Sequence, residues 1–187
     1  MKTVLYIHGF NGSPNGSTGS FIKQFFANDN VIAPQLDLID FEGTIAALKK
    51  ILAENEVNIV IGQSFGAFYA FVLNSDKQFQ IVTNPCMYPS KEIPKLSDVS
   101  LGEEWIKKFA KEESKVYKNI SGQLAQSTFG IFGDKDELFS YKSTFKKIYD
   151  NLNKENTILV EGNHSLSNAS LQKGFSAAIK YLNEYLV

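Results

Sequence analysis

A serine, a carboxylate and a histidine, in that chain order, are the residues whose types and settings can do chemistry together, and that chemistry is acyl transfer. Ser64 lies in Gly62-Gln63-Ser64-Phe65-Gly66, directly after the apolar run Val57 to Ile61 and before Ala67-Phe68-Tyr69-Ala70-Phe71. A nucleophile raised on a sharp strand-to-helix turn needs small residues two positions either side, so that strand and helix can approach closely. Gly62 and Gly66 meet that requirement. A serine hydroxyl is a weak nucleophile at neutral pH and needs a base, which in turn needs a group to orient it. The chain has two histidines. His164 follows the apolar run Thr157 to Val160 and precedes a closing C-terminal helix, where such a base belongs; His8 is the alternative. Between Ser64 and His164, an apolar run ends in Gly133-Asp134-Lys135-Asp136-Glu137-Leu138, which offers Asp136, Asp134 and Glu137 as the orienting acid. The order Ser, Asp, His excludes the chymotrypsin and subtilisin orders.

Acyl transfer also needs donors for the oxyanion that forms when the carbonyl is attacked. Thr3-Val4-Leu5-Tyr6-Ile7 runs into His8-Gly9-Phe10 and a Gly/Ser-rich loop, a setting that can supply half of an oxyanion hole. The expected donors are the backbone N–H groups of Phe10 and Phe65, with the ring of His8 anchoring the loop or bordering the substrate pocket. One such donor is worth roughly 3 to 4 kcal/mol of transition-state stabilisation. The same glycines invite comparison with a phosphate loop, but Gly9 to Gly19 holds neither GxGxxG nor a P-loop Gly-Lys-[Ser/Thr].

These residues need a scaffold that brings strand ends together. Apolar runs recur at Val4 to Ile7, Val31 to Ala33, Val57 to Ile61, Phe79 to Thr83, Thr128 to Phe132 and Thr157 to Val160. Their near-continuous hydrophobicity suits parallel strands covered on both faces. Ser20 to Ala27, Gly43 to Glu54, Gly66 to Asn74, Tyr141 to Asn151 and Ser170 to Leu186 carry apolar residues at helical spacing. The expected fold is therefore α/β: a single three-layer, doubly wound domain over 1–187 with about six parallel strands, and with Ser64, Asp136 and His164 all after strand C-terminal ends. A helical insertion after the fourth strand, residues 86–126, breaks the alternation, with a helix expected near Leu101 to Val116. Leu101, Trp105 and Phe109 share one face, and Glu103–Lys107 and Glu104–Lys108 form i,i+4 pairs on the solvent side. That face either caps an acyl pocket, with Trp105 in its lining, or packs as a satellite helix on the scaffold.

Composition narrows the partners. The 187 residues carry 19 cations against 20 anions, a formal net charge of -1, so no nucleic acid or acidic membrane surface is expected. Every cation is lysine, which removes the planar fork that suits bidentate recognition of phosphates and carboxylates. The single cysteine, Cys86, excludes an intrachain disulfide, and with two histidines it cannot form the usual zinc sets, so no metal and no cofactor are expected. Met1-Lys2 leads almost at once into the first strand and no run approaches membrane-spanning length, so a cytoplasmic location is expected. Triplets such as Asn11-Gly12-Ser13 and Asn119-Ile120-Ser121 are then chance matches to glycosylation acceptors.

Several blocks resemble one family. Leu5-Tyr6-Ile7-His8-Gly9-Phe10-Asn11-Gly12-Ser13-Pro14, Ile32-Ala33-Pro34-Gln35-Leu36, the elbow from Gly62 to Tyr69, Asn84-Pro85 and Gly162-Asn163-His164 are similar to the YqiA-like bacterial esterases of the α/β-hydrolase superfamily. The resemblance implies a compact α/β-hydrolase fold, with Ser64 as nucleophile and His164 as base. It implies Asp136 as the acid, because Asp136-Glu137-Leu138-Phe139-Ser140-Tyr141 fits the family frame Asp-Glu-Val-Leu-Asp-Tyr, with Ser140 in place of the second Asp. The expected activity is cofactor-free hydrolysis of small carboxylic esters with short to medium acyl chains, through an acyl-enzyme. Thioester or peptide hydrolysis by the same residues is the near alternative, and a non-catalytic binding protein on the same fold the distant one.

Overall fold

A computed structural model describes residues 1–73, 77–96, 100–118, 120–149 and 154–185. Six strands, β1 (Thr3–Ile7), β2 (Asn30–Ile32), β3 (Ile59–Gln63), β4 (Phe79–Thr83), β5 (Thr128–Gly133) and β6 (Thr157–Val160), form one sheet in the order β2-β1-β3-β4-β5-β6. Every adjacent pair is parallel. The connecting helices are α1 (Ser17–Phe25), α2 (Phe41–Glu54), α3 (Phe65–Leu73), α4 (Pro89–Leu96), α5 (Glu103–Lys118), α6 (Gly122–Gln126), α7 (Lys142–Ile148) and α8 (Asn168–Tyr185).

Alternation along the strands explains why both faces are covered. Val4, Tyr6, Ile59, Ile61, Ile81, Phe129 and Ile131 point to one side, where Phe21 and Ile22 of α1 and Leu171 and Phe175 of α8 bury them. Leu5, Ile7, Val60, Val82 and Phe132 point to the other, against Leu48 of α2, Phe68 of α3 and Phe145 of α7. Phe109 of α5 joins this second layer, fully buried among the rings of Phe41, Phe65, Phe68, Tyr69 and Trp105. Local signals agree: Asp40 caps α2, its carboxylate accepting the Gly43 N–H at 3.1 Å.

The expected strands all form, with β3 shifted two residues toward the elbow. The expected helices form too, and the 86–126 insertion adds two short ones, α4 and α6, in addition to α5. Pro89 is the first residue of α4, where its missing N–H costs nothing, and Pro94 lies inside that helix. The Glu104–Lys108 pair does not form. Lys108 instead meets Glu42, because α5 docks beside α2 and α2 offers the nearer carboxylate, while within α5 Lys107 takes both Glu103 at 3.0 Å and Glu104 at 3.9 Å. The helix ends expected at Asn74, Asn151 and Leu186, and the triplet at Asn119, lie outside the described residues.

Candidate active site

The sheet's C-terminal edge gathers the predicted residues. Ser64 occupies the junction of β3 and α3 with φ +52°, a left-handed conformation that is uncommon for a residue with a side chain. Backbone bonds hold it there: its N–H donates to Thr83 O at 2.9 Å, and its carbonyl accepts from Ala67 N at 3.1 Å and Cys86 N at 3.0 Å. The flanking glycines are required by contact. A Cβ on Gly62 would lie 2.5 Å from Ala67 Cα, and one on Gly66 would lie 2.3 Å from the carbonyl oxygens of both Ile7 and His8.

His164, in the loop between β6 and α8, places Nε2 2.9 Å from Ser64 Oγ. Its Nδ1 lies 3.0 Å and 3.1 Å from the two carboxylate oxygens of Asp136. The three side chains are thus in series. They are also largely withdrawn from solvent: Ser64 is 6% exposed and the side chains of His164 and Asp136 are 11% and 6% exposed. Phe139 sets its ring edge-on to the imidazole at 4.8 Å. Asp136 is held from behind, Oδ1 accepting the N–H groups of Leu138 at 2.9 Å and Phe139 at 3.0 Å.

The other two carboxylates of this loop contact the histidine loop through its backbone. Asp134 Oδ1 accepts the Gly162 N–H at 2.9 Å, and Glu137 Oε2 accepts the His164 N–H at 2.9 Å. The His164 N–H and Glu137's own N–H hold the Glu137 carboxyl below its ordinary value. Of the three carboxylates considered in the sequence, the imidazole therefore meets Asp136, while Asp134 and Glu137 secure the loop that carries it.

His8 is 2% exposed and does not face the serine as a base would. Its Nε2 accepts the Leu36 N–H at 3.1 Å, which leaves Nδ1 to donate to Gly9 O at 2.9 Å. The ring thereby ties the 8–12 loop to the segment after β2. That loop touches the nucleophile: a Cβ on Gly9 would lie 3.1 Å from Ser64 Cβ. Phe65 opens α3, so its N–H belongs to the helical donors that have no acceptor within the helix. Phe10, on the adjoining loop, sets its half-buried ring 6.3 Å from that of Phe65. Trp105 is half-buried, stacks on Phe109 at 4.1 Å, meets the Phe65 ring at 6.3 Å and donates its indole N–H to Ile39 O at 3.0 Å.

The model of the uncharacterised protein family UPF0227 matches residues 3–182. The chain belongs to this family. It is the YqiA-like family whose motifs the sequence resembles. Among solved structures, Est1E from Butyrivibrio proteoclasticus superposes with a TM-score of 0.64 at 13% identity, covering 99% of this chain and 88% of its own. The same enzyme with ferulic acid bound gives 0.62 at 14% identity over 100% and 90% of the two chains. Mouse alpha/beta hydrolase domain-containing protein 10 gives 0.62 at 14% identity over 99% and 90%. At these identities the likeness establishes an α/β-hydrolase fold.

Among the described residues, no group of three or more His, Cys, Asp or Glu side chains is arranged to hold a metal ion. No helix among them is long and apolar enough to cross a membrane. Asn84, a site residue for which the sequence carries no expectation, has a buried carboxamide that reaches both loops that carry the polar series. The sign available was the Asn84-Pro85 step at the end of β4, with no partner visible in sequence.

Proposed function

We propose that the protein is a cofactor-free serine hydrolase acting on small carboxylic esters with short to medium acyl chains. The observation that carries this reading is the imidazole of His164 spanning Ser64 Oγ at 2.9 Å and Asp136 at 3.0 Å. In this reading Asp136 accepts the Nδ1–H, leaving the Nε2 lone pair for the serine proton. Ser64 Oγ attacks the ester carbonyl as its proton passes to His164. The oxyanion is held by the N–H groups of Phe65 and Phe10, and collapse expels the alcohol with the proton from His164. Water, deprotonated by the same imidazole, then attacks the acyl-enzyme, releasing the acid and restoring Ser64.

Aromatic residues near the serine support the proposed substrate range. Phe10 and Trp105, both half-buried and each packed on the fully buried Phe65 ring, are read as an apolar wall for an acyl group of modest length. The 86–126 insertion is read as the cap on that side, carrying Trp105 over Phe65. A structure on the same fold that is named a ferulic acid esterase favours an ester over other acyl compounds.

A panel of p-nitrophenyl esters from acetate to dodecanoate, with a thioester and an anilide of the preferred acyl group, tests this. The expected result is fastest turnover on short to medium esters, lost in Ser64→Ala, with Trp105→Ala shifting the preferred length as well as lowering Tm, since its ring stacks on Phe109 and its N–H is bonded to Ile39 O. Anilide or thioester turnover exceeding that of the ester would reassign the leaving group, and ester turnover retained by Ser64→Ala would remove the mechanism.

A further inference from the structure

We propose that Asn84 is a positioning residue for His164, an inference that rests on the hydrolase reading above. Asn84 directly follows β4, is 2% exposed, and has φ +40°, inside the left-handed region. Its carboxamide accepts the Gly133 N–H at 2.7 Å and donates to the carbonyls of Asn163 at 3.1 Å and His164 at 2.9 Å. Gly133 ends β5, where the Asp136 loop begins, and Asn163 and His164 belong to the loop after β6. One buried side chain on a third strand therefore joins the loop of the acid to the loop of the base.

The bonds fall where they restrain the imidazole most. Asn84 takes the carbonyl of His164 while Glu137 takes its N–H at 2.9 Å, so both backbone polar groups of the histidine end on side chains. The loops are close enough for a small shift to matter, since a Cβ on Gly133 would stand 2.5 Å from Gly162 O. Releasing the carbonyls of residues 163 and 164 lets the ring move relative to Ser64 and Asp136 together. The left-handed backbone and the hydrogen-bonding carboxamide at this position are separable. Glycine adopts that backbone freely but has no carboxamide. Aspartate keeps the size and the acceptor for Gly133 N–H but has no N–H to give the two carbonyls.

The experiment compares wild type, Asn84→Gly and Asn84→Asp by Tm, by the fraction of Ser64 labelled with a fluorophosphonate, and by kcat and KM for p-nitrophenyl butyrate per labelled site. Both variants are expected to fold and to lose about 10- to 100-fold in kcat per site, as displacement of a reacting group does. KM should change by less than about threefold, since the acyl wall is untouched. A wild-type kcat in Asn84→Gly overturns the proposal, because glycine has no side chain to donate to the His164 carbonyl. So does failure of both to fold, which would make Asn84 a folding residue. Wild type that neither labels at Ser64 nor turns over an ester would instead remove the hydrolase reading, and this inference with it, whatever the variants do.

Discussion

Asp136→Asn is expected to abolish most of the activity while leaving the fold intact, and the geometry says how. Oδ1 accepts two backbone N–H groups, from Leu138 at 2.9 Å and Phe139 at 3.0 Å. The amide oxygen of the variant will stay at that position, which puts the NH2 where Oδ2 now lies, 3.1 Å from His164 Nδ1. An NH2 there donates to Nδ1 and so drives the ring proton to Nε2. That nitrogen faces Ser64 Oγ at 2.9 Å and would then donate to the hydroxyl it must deprotonate. The corresponding change in a serine protease lowers kcat about 10⁴-fold, or about 5.5 kcal/mol at 1.36 kcal/mol per decade. Asp134→Asn has no such consequence, since an amide oxygen accepts the Gly162 N–H as a carboxylate does. The assay is kcat on p-nitrophenyl butyrate with Tm measured alongside. An Asp136→Asn enzyme within about tenfold of wild type, or an equal loss in Asp134→Asn, would refute the tautomer argument.

Other perturbations test the scaffold. Phe109→Ala removes a fully buried ring from the α3–α5 contact and should cost about 3 to 5 kcal/mol, a fall in Tm on the order of 10 °C; a change of about a degree would mean that α5 is only loosely docked. Gly66→Ala would put a methyl 2.3 Å from two backbone carbonyl oxygens that cannot yield independently, so a large loss of Tm or of folded protein is expected, and a wild-type melting curve would contradict the close approach. Burial raises the Glu113 carboxyl above its ordinary value of 4.5, against the lowering by its bonds from the Ser90 N–H and hydroxyl. The folded protein thus keeps this proton where the unfolded chain has released it, so the group's stabilising effect is present at low pH and is lost as pH rises from 4.5 through the folded value. Glu113→Gln, whose amide can satisfy the same serine, should gain Tm relative to wild type between acid and neutral pH; a constant difference would show that the carboxyl titrates alike in both states.

Near-continuous apolar runs located the strands because parallel strands covered on both faces carry that signal without needing to know their neighbours. The Gly62–Gly66 elbow was legible as a five-residue pattern beside an apolar run, although only Gly62 answers a local contact, with Ala67, while Gly66 answers the distant carbonyls of Ile7 and His8. What stayed hidden depends on contacts between distant segments. Three carboxylates stand within four positions of the 134–137 loop; the family resemblance singled out Asp136 among them, but nothing in their order says that the other two bond backbone N–H groups. Lys108 had a correctly spaced partner in Glu104, yet pairs with Glu42 because α5 lies beside α2. Asn84 contacts residues 49, 79 and 80 positions away, and such bonds leave no local pattern.

Labelling with a fluorophosphonate followed by peptide mass mapping asks whether His164 makes Ser64 a nucleophile. With wild type, Ser64→Ala and His164→Ala treated in parallel, an adduct is expected on Ser64 in wild type, none in Ser64→Ala and a severe loss in His164→Ala. A well-folded wild type that takes no adduct, or one that takes it at another residue, would contradict the hydrolase reading.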